Sequence, residues 1–257
     1  MKFDKSKFLE LNHYKSFLKE IEYFEEIDST NSYLLYRRQN IDRVLVIADY
    51  QTAGRGRYSR KWMSNAYENL MFTLGLSENI THEILHRFSF LTPISIVKSI
   101  YQLYGITAEI KWPNDVLVGG KKLCGILIES VFESDNNIKL VIGVGINVNQ
   151  TEFEDEIRDR TTSLKLVTNW NIAREELLAK FIDLFYEGFQ LIKNNFEFIY
   201  NEYMKYVFSL GKQIRIQVGT KIIEGKFKDV NQKGELILEV NGNEFPFSSG
   251  DITILKE

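Results

Sequence analysis

The amino-acid sequence predicts an α+β body, a mixed α/β sheet with helices laid on it, followed by a small β-barrel. Two observations predict this. Up to about residue 207, apolar runs of strand length alternate with segments of helical spacing. Beyond it the chain turns to short alternating strands with glycine turns, the pattern of a small all-β unit of about fifty residues. We therefore expect one domain over residues 1–207 and a second over 208–257.

Element by element, the first twenty residues predict a short helical lead-in, and "YFEEI" (Tyr23–Ile27) reads as a strand. In "DSTNSYLLYRR", Asp28 or Ser29 can accept hydrogen bonds from the free N–H groups that open a helix. "RVLVIADY" (Arg43–Tyr50) is continuously apolar and predicts a buried strand, and "NLMFTLGL" (Asn69–Leu76) predicts the next. From Glu83 to Tyr104 apolar residues recur at helical spacing, with Gly105 as the stop. In the following stretch Pro113 and Asn114 mark a bend, and Gly119-Gly120 reads as a hairpin turn. "NIKLVIGVGINVN" (Asn137–Asn149) is a further buried strand, and residues 171–204 read as helical with a break at Asn194-Asn195. "QIRIQV", "KIIEGKFKDV", "ELILEV" and "DITIL" then supply the barrel, four or five strands in all.

Composition narrows the function classes. Of 257 residues, 44% are hydrophobic and 26% charged, which allows a sizeable core. No apolar run approaches the roughly 18 residues of a membrane span, and the N-terminus lacks a signal-peptide core. A single cysteine, Cys124, excludes an intrachain disulfide framework. These features predict a cytoplasmic protein, away from membranes. A formal net charge of −3 argues against a general nucleic-acid binder but leaves room for a local anion site.

Such a site is suggested by "QTAGRGRYSRKW" (Gln51–Trp62), which gathers Arg55, Arg57, Arg60 and Lys61 within seven residues directly after a buried strand. Glycines let the backbone approach a ligand, and arginine forks pair with carboxylate or phosphate. On charge alone, a solvated loop explains the cluster equally well. The P-loop spacing is absent, and "GVGIN" at 143–147 fails as a dinucleotide fingerprint because Val148 takes the third glycine position. A second cluster lies downstream. The turn at Gly119-Gly120 would fold Lys122 back toward Lys111, making the second half of an anion pocket.

Taken together, "DSTN" (28–31), "QTAGRGRYSRKW" (51–62), "KWPNDV" (111–116), "KKLCGILIE" (121–129) and "GVGINVN" (143–149) resemble the biotin protein ligases in order and spacing. The resemblance covers roughly residues 20–257. It implies an α+β catalytic domain of the biotin/lipoate protein ligase type and an SH3-like C-terminal β-barrel. It implies a biotin–(acetyl-CoA-carboxylase) ligase that converts biotin and ATP to biotinyl-5′-AMP and passes biotin to one lysine of a biotin carboxyl carrier domain. Biotin and ATP with Mg2+ are then substrates, and no tightly bound cofactor or metal ligand set is expected. By the same resemblance Ser29, Thr30, Asn31 and Gln51 contact the biotin head. Arg55, Gly56 and Arg57 close over biotin and the adenylate, and Gly125 permits close approach. Lys122 meets the biotin carboxylate and α-phosphate, Lys111 supports the phosphates, and Arg60, Trp62 and Asn147 lie at the nucleotide. Lys122, Arg57, Arg55 and Lys111 are thus the catalytic candidates. Tyr58 and Ser59 stand where the common loop form has arginine or another residue and then, often, glycine. Only about twenty residues precede the ligase core, so no DNA-binding domain and no repressor role are expected. A homodimer remains open.

Three rivals have separate signatures. A lipoate-protein ligase shares the fold and the adenylation logic, but "GRGR" with "KWPND" favours biotin. A nucleic-acid-binding module would bind any oligonucleotide with strong salt dependence. "HEILH" (82–86) matches the zinc-protease pattern, yet His13 is the only other histidine, so a third ligand would have to be acidic.

Overall fold

The computed structural model describes residues 1–134 and 137–255. The chain enters through helix α1 (Lys5–Leu11), whose first N–H groups are capped by the Asp4 carboxylate. A 3-10 turn at Lys15–Phe17 leads into strand β1 (Glu20–Ile27). Ser29 caps α2 (Thr30–Ser32), its Oγ accepting from Ser32 N, and the helix continues as a π turn over Tyr33–Arg37. Strands β2 (Val44–Gln51) and β3 (Leu70–Leu76) flank the basic loop. Helices α3 (His82–Leu85) and α4 (Phe88–Tyr104) follow, then β4 (Glu109–Lys111), β5 (Asp115–Val118), β6 (Lys121–Ser134) and β7 (Asn137–Ile146). Next come α5 (Asp155–Arg158), α6 (Leu164–Thr168), α7 (Arg174–Leu191) and α8 (Phe196–Met204). Five short strands close the chain: β8 (Gln213–Val218), β9 (Lys221–Val230), β10 (Leu236–Val240), β11 (Asn243–Phe247) and β12 (Asp251–Ile254).

β1 to β7 form one sheet in the order β1-β2-β3-β7-β6-β5-β4, parallel only at β1-β2. β8 to β12 form a second, antiparallel sheet in the order β11-β10-β9-β8-β12. The apolar runs are continuous because the large sheet is covered on both faces. Leu45, Ile47, Phe72, Ile142 and Val144 point into the main core with Phe88, Phe181 and Phe185 of α4 and α7. Val44, Val46 and Val141 point the other way and meet Leu34, Leu35 and Ile41 in a smaller cluster. The second face is only partly roofed, and the candidate site occupies the remainder.

The two sheets are joined locally. Trp112 is buried and its Nε1 donates to Gly234 O (2.9 Å). Ile110 N donates to Tyr206 O (2.7 Å), and Phe208 N to Ile110 O (2.8 Å). The N-terminal segment is held by a buried knot in which Asp49 accepts from Phe3 N (3.2 Å), Tyr23 Oη (2.5 Å) and Arg174 (2.7 Å).

One reading changes. The helix expected from Glu83 to Tyr104 is two helices, joined by tighter i to i−3 bonds such as Arg87 N to Ile84 O. Arg87 holds that break by donating to Ile192 O at the end of α7 (2.8 Å). β2 and β3 are interior strands, paired on both sides, so neither offers an exposed edge. The free edges are the outer side of β1 and the far half of β6, which β5 accompanies only as far as Gly125. The fifth strand of the small sheet is β11, an exposed edge that tolerates Pro246.

Candidate active site

The site is built from four segments that meet on the open face of the large sheet. Its floor is glycine. Along β7, Val141, Gly143 and Gly145 face the same side at the two-residue period of a strand. A Cβ on Gly143 would come within 2.1 Å of Asn31 Oδ1, and one on Gly145 within 2.4 Å of the Trp62 ring. Gly125 on β6 pairs with Gly145, and a Cβ there would also touch Trp62 (3.0 Å). "GVGIN" is therefore a flat strand surface on which α2 and the loop lie close.

Above Gly143 sits a buried polar set from the start of α2. Thr30 N and Thr30 Oγ1 both donate to Gln51 Oε1 (2.9 and 3.1 Å). Thr73 Oγ1 lies 2.6 Å from Asn31 Oδ1 and 2.7 Å from Thr30 Oγ1, and its single proton can serve only one of them. Asn31 Nδ2 donates to Leu127 O (3.2 Å) and to Glu129 Oε2 (3.0 Å), which uses both of its hydrogens. Ser29, Thr30 and Asn31 are all buried.

The basic loop folds as a small hairpin. Gly56 N donates to Arg60 O (2.7 Å) and Trp62 N to Gly54 O (3.0 Å). Its tip places Tyr58 and Ser59 in the left-handed region, at φ 54° and 59°. A side chain in this region costs about 1–2 kcal/mol per residue. The four cations are not equivalent. Arg55 is paired with Glu129 (2.7 Å), and Arg60 with Asp251 of β12. Arg57 meets no carboxylate among the described residues. It donates to Asn114 Oδ1 (3.3 Å) and Tyr58 Oη (3.1 Å), with its guanidinium 4.9 Å from the Tyr58 ring.

The hairpin at Gly119-Gly120, both at positive φ, brings Lys122 and Lys111 together as expected. Lys122 Nζ lies 2.7 Å from Asp115 Oδ1, although that oxygen is without a well-directed hydrogen bond. It also sits 5.9 Å from the Trp62 ring. Lys111 makes no ion pair within 4.0 Å among the described residues. Burial pushes its pKa below the ordinary lysine value, Asp115 opposes that shift, and Lys122 adds to it. Asn147 is buried, its Nδ2 donating to Thr162 O (3.1 Å), and Trp62 Nε1 is buried without a partner among the described residues. A cavity of about 590 Å³ adjoins the loop, lined by Trp62, Tyr50, Lys61, Phe153 and Ile157 among others, but not by Lys111 or Lys122.

Several residues of this site escape sequence reasoning. Glu129, Thr73, Asp115 and Asp251 bind the named residues. A threonine inside an apolar strand and an acid at the end of another were the available signals. "HEILH" goes elsewhere: His82 stacks on Phe132 (4.5 Å between centroids) and His86 meets Phe196 edge-on (5.9 Å). Among the described residues no group of three or more His, Cys, Asp or Glu could hold a metal ion. Cys124 is buried, and burial pushes its thiol pKa up, away from reactivity. No helix of the described residues is long and apolar enough to cross a membrane.

Comparison with known proteins agrees with this geometry. Residues 23–147 match the Biotin/lipoate A/B protein ligase family, a class that embraces two kinds of acyl ligase. Residues 209–255 match the Biotin protein ligase C terminal domain. A biotin–(acetyl-CoA-carboxylase) ligase of Paracoccus denitrificans is 30% identical over 222 residues, spanning 82% of this chain and 90% of the relative. The chain belongs to the biotin protein ligase family. A Bifunctional ligase/repressor BirA of Bacillus subtilis is 34% identical over 220 residues, and the match spans 82% of this chain and 66% of that relative. The structure of a biotin protein ligase from Aquifex aeolicus in complex with biotin and ATP superposes with a TM-score of 0.80 at 29% identity. It covers 93% of this chain and 100% of that one.

Proposed function

We propose that this chain joins biotin to ATP as biotinyl-5′-AMP and then transfers biotin to a lysine of a biotin carboxyl carrier domain in the cytoplasm. The observation that carries this reading is that Arg57, Lys111 and Lys122, from two separate segments, gather at the Asn114-Asp115 corner, beside the glycines of β6 and β7. The polar pocket of Ser29, Thr30, Asn31 and Gln51 lies along the same floor. A biotin head held by that polar set would direct its valeryl carboxylate toward the cations.

In the first step a carboxylate oxygen of biotin attacks the α-phosphorus of ATP, supplied as its Mg2+ complex, and pyrophosphate leaves with the P–O bonding pair. Two anions must meet, and charge builds on the phosphoryl oxygens. Lys122, Lys111 and Arg57 offset that repulsion from fixed positions, so no side-chain nucleophile is needed. In the second step a neutral lysine amine attacks the acyl carbon, AMP leaves, and the amine gives up a proton. The loop over the adenylate keeps water from the mixed anhydride. Arg60, Trp62 and Asn147 bound the nucleotide side, Gly56 and Gly125 allow close approach, and the β-unit from about residue 208 flanks it through Asp251. The far half of β6, free of a strand partner on one side, offers an edge to which a β-rich acceptor can add.

The test is to incubate the protein with ATP, Mg2+ and labelled biotin or lipoate and to identify the acyl-adenylate. Biotinyl-AMP without lipoyl-AMP is expected. Lipoyl-AMP would move the reading to the sister class, and no acyl-adenylate would remove it.

A further inference from the structure

We infer that Glu129 is a positioning residue that clips the basic loop to the biotin-head pocket, and that the Arg55 guanidinium serves this clip rather than the phosphates. The inference rests on the biotin ligase reading above. Glu129 stands on β6, four residues past Gly125, so it faces the same side of the sheet as that glycine. Its two carboxylate oxygens are divided between two segments far apart in sequence. Oε1 accepts from Arg55 NH2 on the loop (2.7 Å), and Oε2 accepts from Asn31 Nδ2 in the pocket (3.0 Å). Arg55 NH1 also reaches Ser32 Oγ (3.3 Å), one residue beyond Asn31. The loop is thus fastened to the element that shapes the head pocket, through one acid.

The charge balance of the loop agrees. Arg55 and Arg60 each meet a carboxylate, whereas Arg57 meets none among the described residues. Arg55 directs its two Nη groups at Glu129 and Ser32 Oγ, toward the head pocket, whereas Arg57 is turned to Asn114 beside Lys122 and Asp115. The clip is half exposed, with 38% of the Arg55 side chain and 22% of the Glu129 side chain accessible, so it adds little to global stability. Its effect is local, because it sets where the loop rests relative to Asn31. Asn31 has both amide hydrogens committed, one of them to Glu129, so loss of the acid also frees the pocket amide to turn.

Glu129→Gln keeps the shape but cannot accept on both sides. It should release preformed biotinyl-adenylate about tenfold faster, the loss of one charge-assisted hydrogen bond. The KM for biotin should rise by a similar factor, with kcat changing less and the KM for ATP unchanged. Arg55→Gln should show the same faster release, and the double variant should match either single variant. The melting temperature of Glu129→Gln should stay within about 2 °C of the parent. In the ligand-free protein, trypsin should cut Glu129→Gln faster within Arg55–Lys61, which reads the clip without any assumption about catalysis. Parent-like release and proteolysis in Glu129→Gln would overturn the inference. So would multiplicative effects in the double variant, or a raised ATP KM in Arg55→Gln that Glu129→Gln does not share. If the parent made no biotinyl-adenylate, the functional reading would fall, and the proteolysis result alone would decide the clip.

Discussion

Two groups of buried charge lie at opposite ends of the large sheet, and the fold treats them differently. At one end Asp49 and Arg174 are almost wholly buried, with 0% and 5% of their side chains exposed. Asp49 accepts from three donors, and Arg174 also donates to Asn69 O (3.0 Å) and Met1 O (2.6 Å). Asp42 is similar: it accepts from the N–H groups of Ser77 and Glu78 and pairs with Lys19 (2.8 Å). Burial alone would raise its pKa, yet these partners outweigh burial and hold it at about 2. At the other end Lys111 lacks an ion pair within 4.0 Å among the described residues, and its pKa is likewise pushed down. The same direction has opposite meanings. For the acid, the fold favours the charged form; for the lysine, the fold opposes it. A charge that holds the structure together is saturated, and a charge kept for a ligand is left with capacity.

The largest expected effect is on the saturated side. Arg174→Ala leaves Asp49 buried without its counter-charge and should cost about 3–5 kcal/mol of stability in chemical denaturation. A loss below 1 kcal/mol would blur the distinction. Next is acid stability. Asp42 titrates near 2 in the folded chain against 3.8 for the ordinary group, so the unfolded chain takes up the proton first. Its contribution, about 2 kcal/mol, is complete above pH ~4 and lost as pH falls toward 2. The acid-unfolding slope should be flatter in Asp42→Asn.

The unsaturated side should respond in function. Arg57→Ala removes a loop cation with no carboxylate partner among the described residues, so melting should hardly move. Adenylate should leave about tenfold faster, seen as label on lysines of bystander proteins. Equal retention by variant and parent would count against the lid. The smallest effect belongs to Lys111. Its folded pKa lies below the unfolded value, so the unfolded state binds more protons in the window between them, and stability rises with pH there. Lys111→Met should melt slightly higher than the parent without ligand at neutral pH while binding ATP more weakly. A lower melting temperature would show that the lysine already has partners.

Much of the saturated scaffold was legible in the sequence because it follows local periodicity. The apolar runs of β2, β3 and β7 and the Gly119-Gly120 turn fall where the pattern puts them. The basic loop was legible as charge, but not the division of its charges. Arg55 finds Glu129 across 74 residues and Arg60 finds Asp251 across 191, and no local pattern encodes such pairs. "GVGIN" shows how a strand hides its purpose. Gly143 and Gly145 look like turn formers, yet they sit mid-strand because Asn31 and Trp62 leave no room for a Cβ. β11 was hard to see because an exposed edge strand with a proline carries no alternation to read.

The claim that the site's charge serves the ligand and not the fold is tested most directly at Lys122. Biotinyl-adenylate formation by the parent and by Lys122→Ala should be timed with ATP and Mg2+, alongside circular dichroism of both proteins. The account predicts an unchanged spectrum and a rate lower by about 10²–10³, the cost of removing one donor from a developing phosphoryl charge. Adenylate made by Lys122→Ala at the parent rate would contradict it, and so would a variant that unfolds.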